Sequence, residues 1–176
     1  MATQSQAPGQ PGISPRWTSS AKSGVGTALN NTSRVWFTLS HGILDEVYYP
    51  RLDQACTRDL GLLVTDGQNF FSEEKRQTQQ EIDYLAAGVP AFRLTNTCNQ
   101  QRYRIHKEVL SDPHRDVVLQ SIRFEPLQGK LADFHLFALL LRKFNTALDN
   151  MIRSGFKASN QVSRLNAGLH VLILTN

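Results

Sequence analysis

Cysteine is scarce in this chain. The two present, Cys56 and Cys98, lie far apart, with no CxxC and no Cys/His grouping at zinc spacing. That excludes a disulfide scaffold and a zinc module, and two half-buried free thiols are expected. Long apolar runs are missing as well. The longest, Phe134 to Leu141, is broken by His135 and is too short to cross a bilayer, so no membrane partner is expected. Residues 1–16, MATQSQAPGQPGISPR, hold neither the basic region nor the apolar region of a secretory signal, and the expected location is the cytoplasm. Charge of one sign is not concentrated: 19 basic and 15 acidic residues give a net +4, scattered along the chain. The densest basic–aromatic patch, Arg102-Tyr103-Arg104, reads as a solvated strand face around one buried ring, which leaves nucleic acid outside the expected partners. What is present is ordinary globular composition. The 176 residues are 40% hydrophobic, 19% charged and 9% aromatic, enough for one domain with a real core.

The organisation is that of short apolar segments cut by turn residues. Val35, Phe37 and Leu39 alternate with Trp36, Thr38 and Ser40. Gly61 to Thr65 is rich in strand formers and stops at the turn dipeptide Asp66-Gly67. Ala91 to Asn96 and Tyr103 to His106 alternate, with Val109 resuming the apolar phase after Lys107. Val117 to Phe124 follows the break at Asp112-Pro113, and Leu131 to Leu141 reads as a strand covered on both faces. Ser72 to Leu85 stays open between a long loop, a strand pair and a short helix. Closely spaced turn signals predict an all-β fold, an antiparallel sandwich rather than βαβ units. The expected divisions are a disordered head over 1–14, the sandwich over 15–150, and an atypical tail over 151–176. The tail alternates only at His170 to Leu174, which reads as an edge strand or a truncation, with the sandwich incomplete there.

Catalytic and ligand motifs are weak. Ser20 to Thr27 has a lysine and two glycines, but Lys22 precedes Gly24 and Gly26 and no helix follows, so a phosphate loop is not formed. The glycines instead let the backbone pass close to another surface. No two of the five histidines stand at metal-ligand spacing, and His135 reads as a satisfied core residue. No serine sits in a GxSxG elbow. No metal or cofactor is expected, and no catalytic residue is assigned. The neighbouring acids Asp45-Glu46 and Glu73-Glu74 would point to opposite faces of a strand, so neither pair can flank one glycosidic bond; surface solvation is the expectation. Trp36 reads as core. Ser40 to Asp53 joins a glycine hinge, Tyr48-Tyr49 before Pro50, and the Arg51/Asp53 pair. It fits a sugar-facing or interdomain surface, and equally a packed corner.

At this segment the chain resembles the N-terminal β-sandwich domain of bacterial glucoamylases and glucodextranases, glycoside hydrolase family 15. The matching blocks come in order: Pro15 to Ala28 (PRWTSSAKSGVGTA), Ser33 to Pro50 (SRVWFTLSHGILDEVYYP), Asp53 to Gly61, Phe70 to Arg76, and Val89 to Thr97. The resemblance covers roughly residues 8–150. It implies a super β-sandwich whose partner is an (α/α)6-barrel catalytic domain. In the family that barrel releases glucose from non-reducing ends of α-glucans with inversion, through one Glu as general acid and another as general base. Both would lie in the barrel, so this chain alone would be inactive. Its expected task is to fold, dock against the barrel and help shape the rim of the substrate pocket, with Trp17, Lys22, Tyr48 and Tyr49 as candidate docking or substrate-binding residues. The alternative is a free-standing carbohydrate-binding module that takes α-glucan or maltooligosaccharide. The resemblance breaks from Met151, as a reading-frame shift or early stop would make it, and Leu136 to Leu141 would then lie at an exposed edge.

Overall fold

The computed structural model describes residues 21–142, 161–165 and 170–174. Trp17, the head over 1–14 and most of the tail over 151–176 lie outside the described residues. The strands are β1 (Gly24–Thr27), β2 (Trp36–Ser40), β3 (Ile43–Tyr48), β4 (Thr57–Thr65), β5 (Phe71–Glu73), β6 (Thr78–Tyr84), β7 (Phe92–Cys98), β8 (Tyr103–Ser111), β9 (Val117–Pro126), β10 (His135–Arg142), β11 (Gln161–Leu165) and β12 (His170–Leu174). One sheet runs β1-β2-β3-β4-β10-β11, with β5 also on β4; the other runs β12-β9-β8-β7-β6. All pairs are antiparallel, as the absence of room for crossover helices requires. The fold is the all-β sandwich that the spacing of turns predicts.

The core lies between the sheets. Phe37, Leu39, Leu44, Val47 and Leu62 meet Phe92, Leu94, Ile105, Val109 and Ile122, all buried. Phe37 and Phe92 pack edge to face with centroids 6.1 Å apart. Gly24 and Gly26 let β1 lie against these rings. A Cβ on Gly26 would sit 2.1 Å from Phe37 Cζ, and one on Gly24 would sit 3.1 Å from Phe92 Cε1. At one end Tyr103, wholly buried, stacks on Phe124 at 5.3 Å and shares a 2.7 Å hydrogen bond with Ser72. Arg102 lies over Phe70 at 4.1 Å and pairs with Asp66 at 3.3 Å. The Arg-Tyr-Arg triplet is thus one buried ring between two half-buried cations. Cys56 and Cys98 are not joined in a disulfide; the first is half-buried and the second buried.

The hairpin that carries the later site is held by a polar knot in the core. His41 and Gly42 both have positive φ, 50° and 69°, and form a two-residue turn between the paired Ser40 and Ile43. Lys107 Nζ donates to the Gly42 carbonyl at 2.7 Å and pairs with Glu74 Oε1 at 2.7 Å, with both side chains 0% exposed. Asn96 Nδ2 donates to the same carbonyl at 2.8 Å and to Glu74 Oε1 at 2.5 Å, while the Leu62 N–H donates to Glu74 Oε2 at 3.0 Å. A Cβ on Gly42 would fall 2.2 Å from Asn96 Oδ1, so glycine is required there on steric as well as conformational grounds.

Two expectations change, and one open reading is decided. Residues Leu131–Asp133 form a 3-10 turn, and the strand begins at His135. The stretch Leu136 to Leu141 is not an open edge: β10 pairs with β4 on one side and, through Leu140, with β11 on the other. Ser72 to Leu85 resolves into the end of β5, a turn and β6. The strand at His170 to Leu174 is present as β12 and, among the described strands, pairs only with β9.

Candidate functional site

The site grows from an irregularity in β3. Phe37 pairs with Val47 and Leu39 with Leu44, so β2 advances two residues while β3 advances three. Asp45 and Glu46 therefore stand opposite Thr38 alone, in a β-bulge. The bulge explains a pattern that a regular strand forbids: Leu44 and Val47, three apart, both enter the core. The two acids between them are left on the same, outer face of the first sheet. The Glu46 N–H, freed from the ladder, donates to Thr38 Oγ1 at 3.1 Å, and the Val47 N–H donates to Thr57 Oγ1 at 2.9 Å.

Lys22 reaches both carboxylates from the segment before β1. Its Nζ pairs with Asp45 Oδ2 and, at 2.9 Å, with Glu46 Oε2. Tyr48 donates its hydroxyl to the same Glu46 oxygen at 2.6 Å. On β4, Asp59 takes Lys75 at 2.7 Å and has Arg58 at 3.9 Å. Trp36 pairs with Tyr48 across β2 and β3, so both rings belong to this outer face and both are half-buried. Trp36 is therefore not core; its neighbour Phe37 takes that position.

Burial holds the Asp45 carboxyl above the ordinary aspartate range, opposed by Lys22 and aided by Asp59. Burial works to lower Lys22, but its hydrogen bonds to Asp45 and Glu46 outweigh it and the ammonium is raised. Burial, then the bond to Glu46, raises the Tyr48 phenol. These are the shifts of a closed ion cluster. Asp45 and Glu46 are buried and both pair with Lys22.

Of the residues expected to form a docking face, the structure joins Lys22 and Tyr48 through Glu46. Tyr49 turns away: it packs under Arg34 at 5.4 Å from the ring centroid and accepts from Arg34 Nη2 at 3.0 Å. Arg34 in turn lies 3.7 Å from Asp116. Trp17 lies outside the described residues. The adjacent acids are not solvated as expected. Asp45, Glu46 and Glu74 are buried and paired with lysine, because the bulge and the inter-sheet knot draw them in. His135 is half-buried beside the Gly67 turn rather than within the core. Sequence reasoning missed Asp59, Lys75 and Lys107. Lys107 had a signal, since it continues the inward phase of Tyr103, Ile105 and Val109. Among the described residues, no group of three or more His, Cys, Asp or Glu could hold a metal ion.

A family model described as "Glucodextranase, domain N" matches residues 7–163. This chain belongs to that family. A curated relative, the glucoamylase of Clostridium sp. (strain G0005), is 39% identical over 127 residues, which make up 72% of this chain and 18% of the relative. A solved structure, a bacterial glucoamylase complexed with acarbose, matches with a TM-score of 0.73 and 35% sequence identity over 76% of this chain and 20% of that one. The chain therefore spans about a fifth of the length of these relatives. The block Ser33 to Pro50, on which the resemblance rests most heavily, is the hairpin that bears the bulge and Tyr48.

Proposed function

We propose that this chain is the non-catalytic sandwich of a glucoamylase-like member of glycoside hydrolase family 15. In this reading it docks, through the outer face that carries Lys22, Tyr48 and Trp36, against an (α/α)6 barrel that holds the general acid and the general base. The parent enzyme releases glucose from the ends of α-glucans with inversion, and this domain contributes fold stability and the rim of the pocket. The observation that carries the reading is the 39% identity to a glucoamylase of which the match occupies 18%. The lysine–carboxylate cluster supports it, since Asp45, Glu46 and Glu74 are buried against lysines.

The test is to assay the full chain for glucose release from maltooligosaccharides, alone and mixed with a barrel-only piece of the Clostridium glucoamylase. The expected result is no release by the chain alone and a measurable complex with the barrel. That complex should be weakened by Tyr48→Ala, a half-buried side chain on the outer face. Glucose release by the chain alone would overturn the non-catalytic reading. A saturable change in tryptophan fluorescence with maltooligosaccharide, without barrel binding, would favour the carbohydrate-binding module.

A further inference from the structure

β10 is apolar on both faces. Leu136 and Ala138 enter the core and Leu140 packs against it, so strand alternation turns Phe137, Leu139 and Leu141 to the outer face of the first sheet. All three are half-buried. Phe137 stands opposite Leu63 of β4, Leu139 opposite Gly61, and Leu141 opposite Asp59, at the border of the charged cluster. Phe71 of β5 extends the run. Its neighbour Ser72 turns inward to Tyr103, which leaves the Phe71 ring outside and 57% exposed.

The outer face of the second sheet is the opposite case. Across its middle His106 stands opposite Arg123, Arg104 opposite Glu125 and Arg93 opposite Glu108. A face of that kind is at home in water. The outer face of the first sheet instead sets an apolar run on β4, β5 and β10 beside a charged cluster on β3 and β4. Among the described residues every strand belongs to one of the two sheets, and none forms a third layer over this run. An apolar patch bordered by charge has the layout of an interface, with an apolar centre and a polar rim.

We propose that the outer side of β4, β5 and β10 is the apolar centre of the interface with the catalytic barrel, and that Lys22, Tyr48 and the acids around them form its polar rim. This rests on the docking proposed above and adds where its binding strength lies. Two observations name the occupant. The match fills 18% and 20% of the two glucoamylases, so each relative carries most of its length outside this domain. The run is also continuous, through Leu141 and Asp59, with the face on which Lys22 and Tyr48 stand. The partner surface is a matching apolar patch ringed by polar groups.

The test measures binding of the full chain to the barrel-only piece of the Clostridium glucoamylase by calorimetry, with a melting curve for every variant. Phe71→Ser, at a side chain already largely in water, should keep the melting temperature and weaken the complex several-fold. Phe137→Ser should weaken it by about tenfold or more, beyond the loss from Tyr48→Ala. Arg123→Ala, on the outer face of the second sheet, should leave the affinity unchanged. No complex with the unmutated chain would overturn the docking itself and this inference with it. A complex that Tyr48→Ala weakens, but that neither Phe71→Ser nor Phe137→Ser disturbs, would overturn this inference alone. So would a dimer of the chain that Phe71→Ser dissolves and the barrel does not displace, since the face would then belong to a second copy.

Discussion

Lys107 and Lys22 each meet carboxylates, but at opposite depths of the sandwich. Lys107 stands between the sheets, with no exposure, tied to Glu74 and the Gly42 carbonyl. Lys22 lies on the outer face of the first sheet, its side chain 22% exposed, and gathers the two acids of the bulge. Burial lowers the Lys107 ammonium, with Glu74 opposing, whereas the bonds to Asp45 and Glu46 carry Lys22 upward. The difference shows what each network does. Inside, desolvation dominates and the pair holds a hairpin turn in register. Outside, the lysine keeps some contact with water while it gathers two buried acids.

The largest expected effect breaks the inner network. Lys107→Met leaves Glu74 charged in the core and should cost about 3–5 kcal/mol in urea unfolding. Adding Glu74→Gln should recover part of that loss, with a coupling of about 0.5–3 kcal/mol. Next, Gly26→Ala forces a methyl group onto the Phe37 ring and should cost about 1–3 kcal/mol. Gly61→Ala, whose new Cβ would meet only Ile43 at 3.7 Å, should fall well below it in the same melt. On the outer face, Lys22→Met strands two buried carboxylates, Asp45 and Glu46, and a loss of about 1–3 kcal/mol or more is expected.

Two smaller effects set the scale. Backbone N–H groups of Phe70, Gln68 and Asn69 hold the Asp66 carboxyl down at about 2. Its contribution is present above the ordinary aspartate range and is lost as pH falls through about 2, so Asp66→Ala should flatten the acid limb of the stability profile. Arg93 and Glu108 pair at 3.2 Å with about half of each side chain in water. Arg93→Ala should stay within about 1 kcal/mol of the unmutated chain, a half-exposed reference for both lysine networks.

Much of the sandwich is legible along the chain. β2, β4, β7, β8 and β9 fall where apolar residues alternate, and Asp112-Pro113 is the turn it reads as, with Asp112 Oδ1 accepting from His114 N–H at 2.7 Å and Arg115 N–H at 3.0 Å. β6 hides because it is an edge strand with mostly exposed side chains, so its alternation carries little apolar contrast. β3 hides for a different reason. The bulge changes the spacing of its core residues from two to three, so Leu44 and Val47 look unrelated. Of the site, Lys22 and Tyr48 are picked out from the family blocks, while Asp59 and Lys75, which lie in the blocks Asp53 to Gly61 and Phe70 to Arg76, are not, because nothing local marks them as partners.

The alternation of apolar residues, the turn dipeptides and the ordered blocks from Pro15 to Thr97 determine by themselves the fold class and the family. They report local preferences and the face each residue takes, and both are written at short range. Which charges meet was decided only by the tertiary structure. Lys75 finds Asp59 and Lys22 finds Asp45 on the folded first sheet, and Lys107 finds Glu74 across the gap between sheets. Such encounters depend on register and packing between segments far apart in sequence, and no local spacing encodes them.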